Sequence, residues 1–206
     1  MRHGGLRKIS EVVQSLCERA PLSETEEWDN VGLLVGDPSE QTSGAVISTD
    51  LTFEAIEVAI QKGYRLIINH HPCIFPKKRG ISQVIAGTPV YEAIKKGIAV
   101  AAFHTNFDRC ALEVVDAISQ GLGFEPKGRL LENPSESMIG VAKGIGYGLW
   151  GEFSSAKSFP EFANGVKDLF NIHGFWITSP VPLLVSRVGF VAGKGTSFVS
   201  RFFVRM

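Results

Sequence analysis

Four side chains that can bind a divalent metal ion lie in two short segments of this sequence. His70 and His71 are adjacent in the segment INHHP, and His104 and Asp108 lie four positions apart in FHTNFD. Imidazole and carboxylate groups together suit zinc, iron, manganese and related divalent ions. The chain has only 5 histidines, and three of them fall in this pattern. We therefore predict a metal site at these residues rather than three unrelated structural histidines.

The three cysteines leave a softer zinc site open as an alternative. Cys73 and Cys110 follow the two segments closely and could act as thiolate ligands, although a buried cysteine more often only fills space in a core. With Cys17 they are widely spaced and form no CxxC pair, which is typical of a reducing compartment. The N-terminus lacks the apolar core of a secretory signal. We expect a cytoplasmic protein.

Two further segments could hold an anion. Lys77, Lys78 and Arg79 follow the first histidine segment and could bind an anionic group such as phosphate, or could equally lie in a solvated loop. The sequence GKGTS at 193–197 could offer backbone amides to an anion. It lacks the spacing of a Walker loop, so a tight turn is the better explanation. A nucleotide or another anionic small molecule is therefore the expected ligand class.

Charge argues against dedicated nucleic-acid binding, and hydropathy argues against a membrane span. The chain has 21 basic and 21 acidic residues, whereas a nucleic-acid-binding domain is usually basic. We expect no dedicated nucleic-acid binding. No run of about 18 apolar residues occurs, so we predict no membrane span.

The elements that would position the metal ligands alternate between helix and strand. Helical segments at 53–62 and 89–96 each lead through a glycine into a short apolar strand, at 64–69 and 98–103. Alternation of this kind is typical of βα units and a mainly parallel sheet. We therefore predict an α/β fold.

An internal repeat relates the two histidine segments. The sequence AIQKGYRLIINH aligns without a gap with AIKKGIAVAAFH, so that seven positions separate Gly63 from His70 and Gly97 from His104. The repeat predicts that both histidines leave the carboxyl ends of neighbouring strands in the same register. Ligands of open α/β sheets bind at that end, which places both side chains on one rim.

The remaining elements suggest two packed α/β lobes, at 1–125 with the metal motifs and at 126–206. In the first lobe we predict a helix before Pro21, strands at 31–36 and 45–51, and a helix at 110–123. In the second we predict short antiparallel strands within 126–158, a helix at 159–170, and strands at 175–178 and 183–193.

Four motifs in this order resemble one known family. They are WDNVGLLVGD (28–37), INHHPCIF (68–75), FHTNFD (103–108) and GFVAGKGTSFV (189–199). Together they are similar to the NGG-interacting-factor-three family, whose members are called GTP cyclohydrolase I type 2 homologues. Trp28, Asp29 and Asn30 match the family signature, but neither their types nor their spacing assigns them a role.

The resemblance implies a two-lobed α/β fold, a toroidal hexamer and a dinuclear metal centre that faces an internal cavity. It implies that His70, His71 and Asp108 bind metal. It also implies that His104 lies in the pocket as a further ligand or as the hydrogen-bond partner of a ligand. Up to two divalent ions per chain follow from the resemblance.

The C-terminus departs from the family pattern. Such proteins continue past the glycine-rich segment through another strand and then supply a histidine and a glutamate one helical turn apart. This sequence ends at Met206 without them. We therefore expect a chain that lacks the last strand and helix, with a doubtful second metal site.

Two functions agree with these features. One is a metal-dependent hydrolase that acts on a nucleotide such as GTP, with His104 as the general base or as the residue that orients water. The alternative is a non-catalytic metal-binding scaffold that acts through protein–protein interaction. A general acid or base beyond the metal ligands would distinguish them, and His104 is the clear candidate.

Overall fold

The computed structural model describes residues 5–75, 84–110, 112–132, 146–178 and 180–191. The chain divides into two compact units, residues 1–107 and residues 108–206. The α/β class predicted from the sequence is confirmed. Each unit is described separately below.

The described residues of the first unit form six strands and three helices, and a fourth helix begins at its end. In chain order they are β1 (Arg7–Lys8), α1 (Ile9–Cys17), a 3-10 turn (Leu22–Glu24), β2 (Gly32–Val35), β3 (Gln41–Thr42), β4 (Ala45–Ser48), α2 (Phe53–Lys62), β5 (Leu66–Asn69), α3 (Pro89–Lys95), β6 (Ala99–Ala102) and α4 (Thr105–Cys110).

A four-stranded sheet forms the centre of this unit, in the order β2-β6-β5-β4. Strands β4, β5 and β6 run parallel to one another, while β2 pairs with β6 in the antiparallel direction. The two parallel pairs are those that the βα alternation predicts, and the antiparallel edge makes the sheet mixed.

Helices cover both faces of the sheet because successive strand residues point to opposite sides. On one face, Ile67 and Val100 pack in a core cluster with residues of α2 and α3. On the other face, Leu66 and Ala101 pack with Ile9 of α1 and its neighbours. Each fully buried aliphatic side chain of this kind contributes roughly 1.5–3 kcal/mol to folding. These clusters hold the strand ends that carry the histidines.

The two glycines of the repeat end their helices as predicted. Gly63 has φ +69° and Gly97 has φ +62°, in the left-handed region where a side chain is strained. The predicted common register is wrong by one residue, because Asn69 pairs with Ala102. His70 therefore lies opposite Phe103 rather than His104. The register follows the buried faces of the strands, which a gapless alignment does not detect.

The described part of the second unit begins within α4 and continues with α5 (Leu112–Leu122), β7 (Glu125–Gly128), β8 (Leu131–Glu132), β9 (Gly146–Tyr147), β10 (Leu149–Ser158), α6 (Phe159–Phe170) and β11 (Leu184–Phe190). Its larger sheet has the order β11-β10-β7, and both pairings are antiparallel. Parallel pairing among the described residues is thus confined to the first unit, and the antiparallel strands predicted within 126–158 are confirmed.

Local predictions in the second unit have mixed outcomes. The helix at 159–170 is confirmed, and the Ser158 hydroxyl accepts a hydrogen bond from the Glu161 amide at its start. The strand at 183–193 is confirmed as β11. The strand predicted at 175–178 is wrong: the segment is irregular, and Trp176 is 96% exposed. An apolar run without a sheet partner is not a strand.

No helix within the described ranges is long and apolar enough to cross a membrane.

Candidate metal centre

Three of the four predicted ligands come together at the carboxyl end of the sheet. His70 and His71 follow the last residue of β5, and His104 lies two residues beyond the end of β6. One ring nitrogen from each histidine lies within 4.8 Å of the others. The ring centroids of His70 and His104 are 5.1 Å apart, and those of His71 and His104 are 5.6 Å apart. The three histidines form one cluster, called the histidine cluster below.

The ring of His70 is oriented by the neighbouring strand. Its Nδ1 lies 2.9 Å from the carbonyl oxygen of Phe103. A carbonyl oxygen only accepts, so Nδ1–H donates and the neutral ring carries its lone pair on Nε2. The one-residue register offset between β5 and β6 places this carbonyl within reach of His70.

The ring of His104 is oriented by Asp29. Its Nδ1 lies 3.0 and 2.9 Å from the two carboxylate oxygens. The Asp29 side chain is 0% exposed and that of His104 is 17% exposed. Because an ionised carboxylate only accepts, Nδ1–H donates here too, and Nε2 carries the lone pair.

Asp29 is held by several further donors. The Thr105 hydroxyl donates at 2.6 Å, the Thr105 amide at 3.2 Å and the Asn30 amide at 2.8 Å. Burial alone would raise the pKa of Asp29, but the hydrogen bonds from His104, Thr105 and Asn30 outweigh it and lower the pKa to about 2. Asp29 therefore stays ionised at neutral pH.

The ring of His71 is oriented by Asp50, on the loop that follows β4. Its Nδ1 lies 2.8 Å from the Asp50 carboxylate, and the side chains are 45% and 62% exposed, respectively. The same rule of donors and acceptors leaves the lone pair on Nε2. Solvent reaches the histidine cluster from this side.

Short polar contacts fasten the loops around the cluster. The Asn30 side-chain amide donates to the Ile74 carbonyl at 2.8 Å, which ties the WDN motif to the segment after the histidine pair. The buried Asn106 side chain accepts from the His104 amide at 3.0 Å and donates to the Ala20 carbonyl at 2.8 Å. The loop geometry is therefore fixed by side chains outside the histidine cluster.

This donor set fits a divalent ion. Each histidine directs its Nδ1–H to a carbonyl or carboxylate acceptor, as metal-binding histidines almost always do, because that bond fixes the tautomer and the ring orientation. The remaining ring nitrogen of each histidine is then available as a donor of the kind that zinc, iron or manganese accept. The histidine cluster could hold a metal ion.

The other residues singled out in the sequence have separate outcomes. Asp108 lies in α4 and is the first residue of the second unit; its role as a ligand stays a prediction. Cys73 packs against the core beside α2, and burial, opposed by a backbone hydrogen bond, raises the pKa of its thiol to about 11. This is the environment of a core-filling cysteine. The basic segment 77–79 and the segment 193–197 lie outside the described residues.

Two residues of the site had no role assigned from the sequence, namely Asp50, which was not singled out, and Asp29, which was noted only in the family signature. Asp50 follows β4, which neighbours β5, so the rule that ligands gather at carboxyl strand ends could have found it. Asp29 had no such signal, because it follows an irregular loop and meets His104 across 75 positions of sequence.

An open cavity of about 780 Å³ lies in the second unit, and its lining includes Asp116, Gln120, Glu125 and Glu152. None of the predicted ligands lines it, and among the described residues its carboxylates do not form a group that could hold a metal ion. The chemistry of the histidine cluster, rather than the size of this cavity, identifies the candidate site.

Comparison with known proteins supports the family resemblance that the four motifs indicate. The family model Duf34/NIF3 (NGG1p interacting factor 3) matches residues 7–205. A Clostridium acetobutylicum protein named GTP cyclohydrolase 1 type 2 homolog is 28% identical over 192 residues, which cover 93% of this chain and 70% of that protein. A Staphylococcus aureus protein of the same name is 39% identical over 121 residues, or 57% of this chain and 32% of that protein.

A solved structure is similar in fold. A hypothetical protein from Staphylococcus aureus matches with a TM-score of 0.80 and 23% identity, over 96% of this chain and 76% of that one. At this identity the likeness concerns the fold alone.

Proposed function

The chain belongs to the Duf34/NIF3 family, and we propose that it binds a divalent metal ion and uses it to hydrolyse a nucleotide such as GTP. One observation supports the metal site above all. Each of the three clustered histidines donates Nδ1–H to an oriented acceptor, and the ring nitrogens offered to an ion lie within 4.8 Å of one another.

The proposed ligands are His70, His71 and His104 through Nε2, with Asp108 as the carboxylate ligand that the FHTNFD spacing predicts. A carboxylate would add the negative charge that three neutral imidazoles lack. A second ion per chain is part of the proposal only if further ligands complete its site. The metal is zinc, iron or manganese.

When bound, a divalent ion supplies Lewis-acid chemistry to a nearby bond and to water. The residues of this chain contribute position and protonation. Asp29 and the Phe103 carbonyl keep Nδ1 of His104 and His70 protonated, so their Nε2 lone pairs face the site. One lone pair cannot hold an ion and a proton together, so His104 acts as general base only while other ligands hold the ion.

A nucleotide substrate is supported by the relatives named GTP cyclohydrolase 1 type 2 homolog. The proposed reaction adds water to the imidazole carbon of the purine and opens that ring. The same proposal includes a cytoplasmic location, which agrees with three free cysteines, and a homo-oligomer, expected as a hexamer.

Metal content tests the first part of this proposal. We expect His70→Ala and Asp108→Ala to lose tightly bound metal after dialysis, because each lost ligand weakens an incomplete set strongly. His173→Ala is the matched control, since His173 lies in an exposed segment of the second unit. Full occupancy in the first two variants, measured by elemental mass spectrometry, would contradict the ligand assignment.

Product analysis tests the hydrolase. The metal-loaded chain should convert GTP to a ring-opened product, which chromatography with mass detection resolves, and His104→Ala should abolish the conversion. A chain that keeps its metal and leaves GTP intact under these conditions would exclude the reaction.

An exposed apolar segment favours the second candidate, a metal-binding scaffold for protein interaction. Trp176 is 96% exposed and Leu183 is 90% exposed, and apolar surface of this kind often marks an interface. Light scattering of Trp176→Ser beside the unmodified chain tests whether the segment supports assembly. An unchanged mass of the Trp176→Ser variant would remove the observation that favours the scaffold function.

A further inference from the structure

Two exposed aromatic rings flank the histidine cluster. Trp28 makes an edge-to-face contact with His104, with ring centroids 6.0 Å apart, and is 37% exposed. Phe107 makes a similar contact with His70 at 6.2 Å and is 43% exposed. The rings therefore border two different ligand candidates and still present surface to solvent.

The backbone beneath both rings is fixed. Trp28 precedes Asp29, whose carboxylate accepts hydrogen bonds from Asn30, His104 and Thr105. Phe107 follows Asn106, which is 0% exposed and bonded to the Ala20 carbonyl. A ring on a fixed backbone binds a ligand with little further loss of conformational freedom.

Core packing does not account for these rings. Neither Trp28 nor Phe107 belongs to the apolar core clusters that the described residues form. An exposed aromatic alone is ordinary in a protein surface. Two of them in contact with the same histidine cluster form an apolar border around a polar, ion-binding centre, which is the usual composition of a small-molecule site.

We infer that Trp28 and Phe107 recognise the planar heteroaromatic ring of a purine nucleotide and hold it beside the histidine cluster. The inference rests on the proposed function and names the part of the substrate that these residues bind. Aromatic side chains stack on nucleobases without needing hydrogen-bond partners. The rings would thus select for a base, while the cluster would act on the reacting atoms.

The experiment compares two ligands that share a triphosphate and differ in the base. GTP and inorganic tripolyphosphate are titrated calorimetrically into the zinc-loaded full chain. We expect GTP to bind at least about 10-fold more tightly than tripolyphosphate, because each base–aromatic stack contributes about this factor. Trp28→Ala and Phe107→Ala should each remove most of that preference, and Trp28→Phe should retain part of it.

Matched variants control for loss of an exposed ring in general. Trp176→Ala removes a tryptophan that is 96% exposed, and Phe53→Ala removes a phenylalanine that is 45% exposed. Both controls should leave the GTP preference unchanged. Zinc content and melting temperature are measured for every variant, so that a damaged cluster is separated from a lost base contact.

The outcomes separate this inference from the proposed function. Equal affinity for GTP and tripolyphosphate, or a preference that survives both alanine variants, overturns the inference. Loss of zinc in the alanine variants also overturns it, because the rings would then support the histidines rather than the ligand. A ring-dependent GTP preference in a chain that takes up no zinc would support the inference while the metal-dependent function fails.

Discussion

The two carboxylate–histidine pairs of the cluster share one hydrogen-bond pattern and lie in opposite environments. Asp29 and His104 are 0% and 17% exposed, whereas Asp50 and His71 are 62% and 45% exposed. The Asp29 carboxylate accepts from three residues, and the Asp50 carboxylate accepts from His71. The first pair is part of a buried network, and the second competes with water.

This difference gives the two histidines different energetic roles. Breaking a buried ionic network by removing one partner costs several kcal/mol, because the remaining donors are left unsatisfied. An exposed pair contributes about 0–1 kcal/mol. His104 is therefore held in position by the fold itself, and His71 is a candidate ligand whose side chain can move.

Asp29→Asn should have the largest effect among the variants that test this comparison. The new amide presents a donor where Thr105 already donates, so we expect the free energy of unfolding to fall by about 2–3 kcal/mol. Metal affinity should fall about 10–100-fold, as is usual when the partner of a ligand is lost. Chemical denaturation of the metal-free protein and competitive metal titration measure the two losses.

Thr105→Val should have an intermediate effect. The valine removes the hydroxyl that donates to Asp29 and accepts from the Glu26 amide. We expect a loss of about 1–2 kcal/mol in stability and a smaller loss in metal affinity than Asp29→Asn causes. The control is Thr25→Val, because the Thr25 hydroxyl is buried without a hydrogen-bond partner. That variant should be neutral or slightly stabilising, and equal losses in both would contradict the assigned network.

Asn30→Ala should sharpen the comparison by loosening one loop without touching either carboxylate. It removes the bond to the Ile74 carbonyl, which holds the segment after His71. We expect about 1 kcal/mol less stability and faster amide hydrogen exchange within residues 71–75 than elsewhere in the first unit. Uniform exchange across the unit would show that this contact does not restrain the loop.

Asp50→Asn should have the smallest effect, although its chemical change is the same as in Asp29→Asn. The asparagine oxygen can still accept from Nδ1 of His71, and solvent satisfies the new amide. We expect less than about 0.5 kcal/mol change in stability and no more than a few-fold loss in metal affinity. If Asp50→Asn lowered stability and metal affinity as much as Asp29→Asn does, the two carboxylate–histidine pairs would not differ in their energetic roles.

Local patterns predicted the elements better than their pairing. Gly63 and Gly97 end helices because their positive φ is a local property, and the apolar strands beyond them bury on both faces. The offset between His70 and His104 depends on how two strands slide into register, which no local pattern records. The segment at 175–178 has strand-like composition but no neighbouring strand, so composition alone misled the prediction.

The clustering of the three histidines was predictable from the sequence, and the residues that orient them were not. His70, His71 and His104 were visible because each follows an apolar strand. Asp29 was not, because its role depends on a partner 75 positions away. Its hydrogen bond to His104 exists only once the intervening strands and helices have folded.

That separation also bears on the order of events in folding. A contact between residues 29 and 104 closes a long loop. Such a contact forms slowly, because the entropy of loop closure is lost before the contact contributes any stabilising energy. The unfolded chain therefore has no prepared site, and an ion that binds only the native state stabilises it by mass action. If the cluster forms after the main folding barrier, bound metal will slow unfolding and leave the folding rate nearly unchanged. Metal uptake would then extend the lifetime of the native chain.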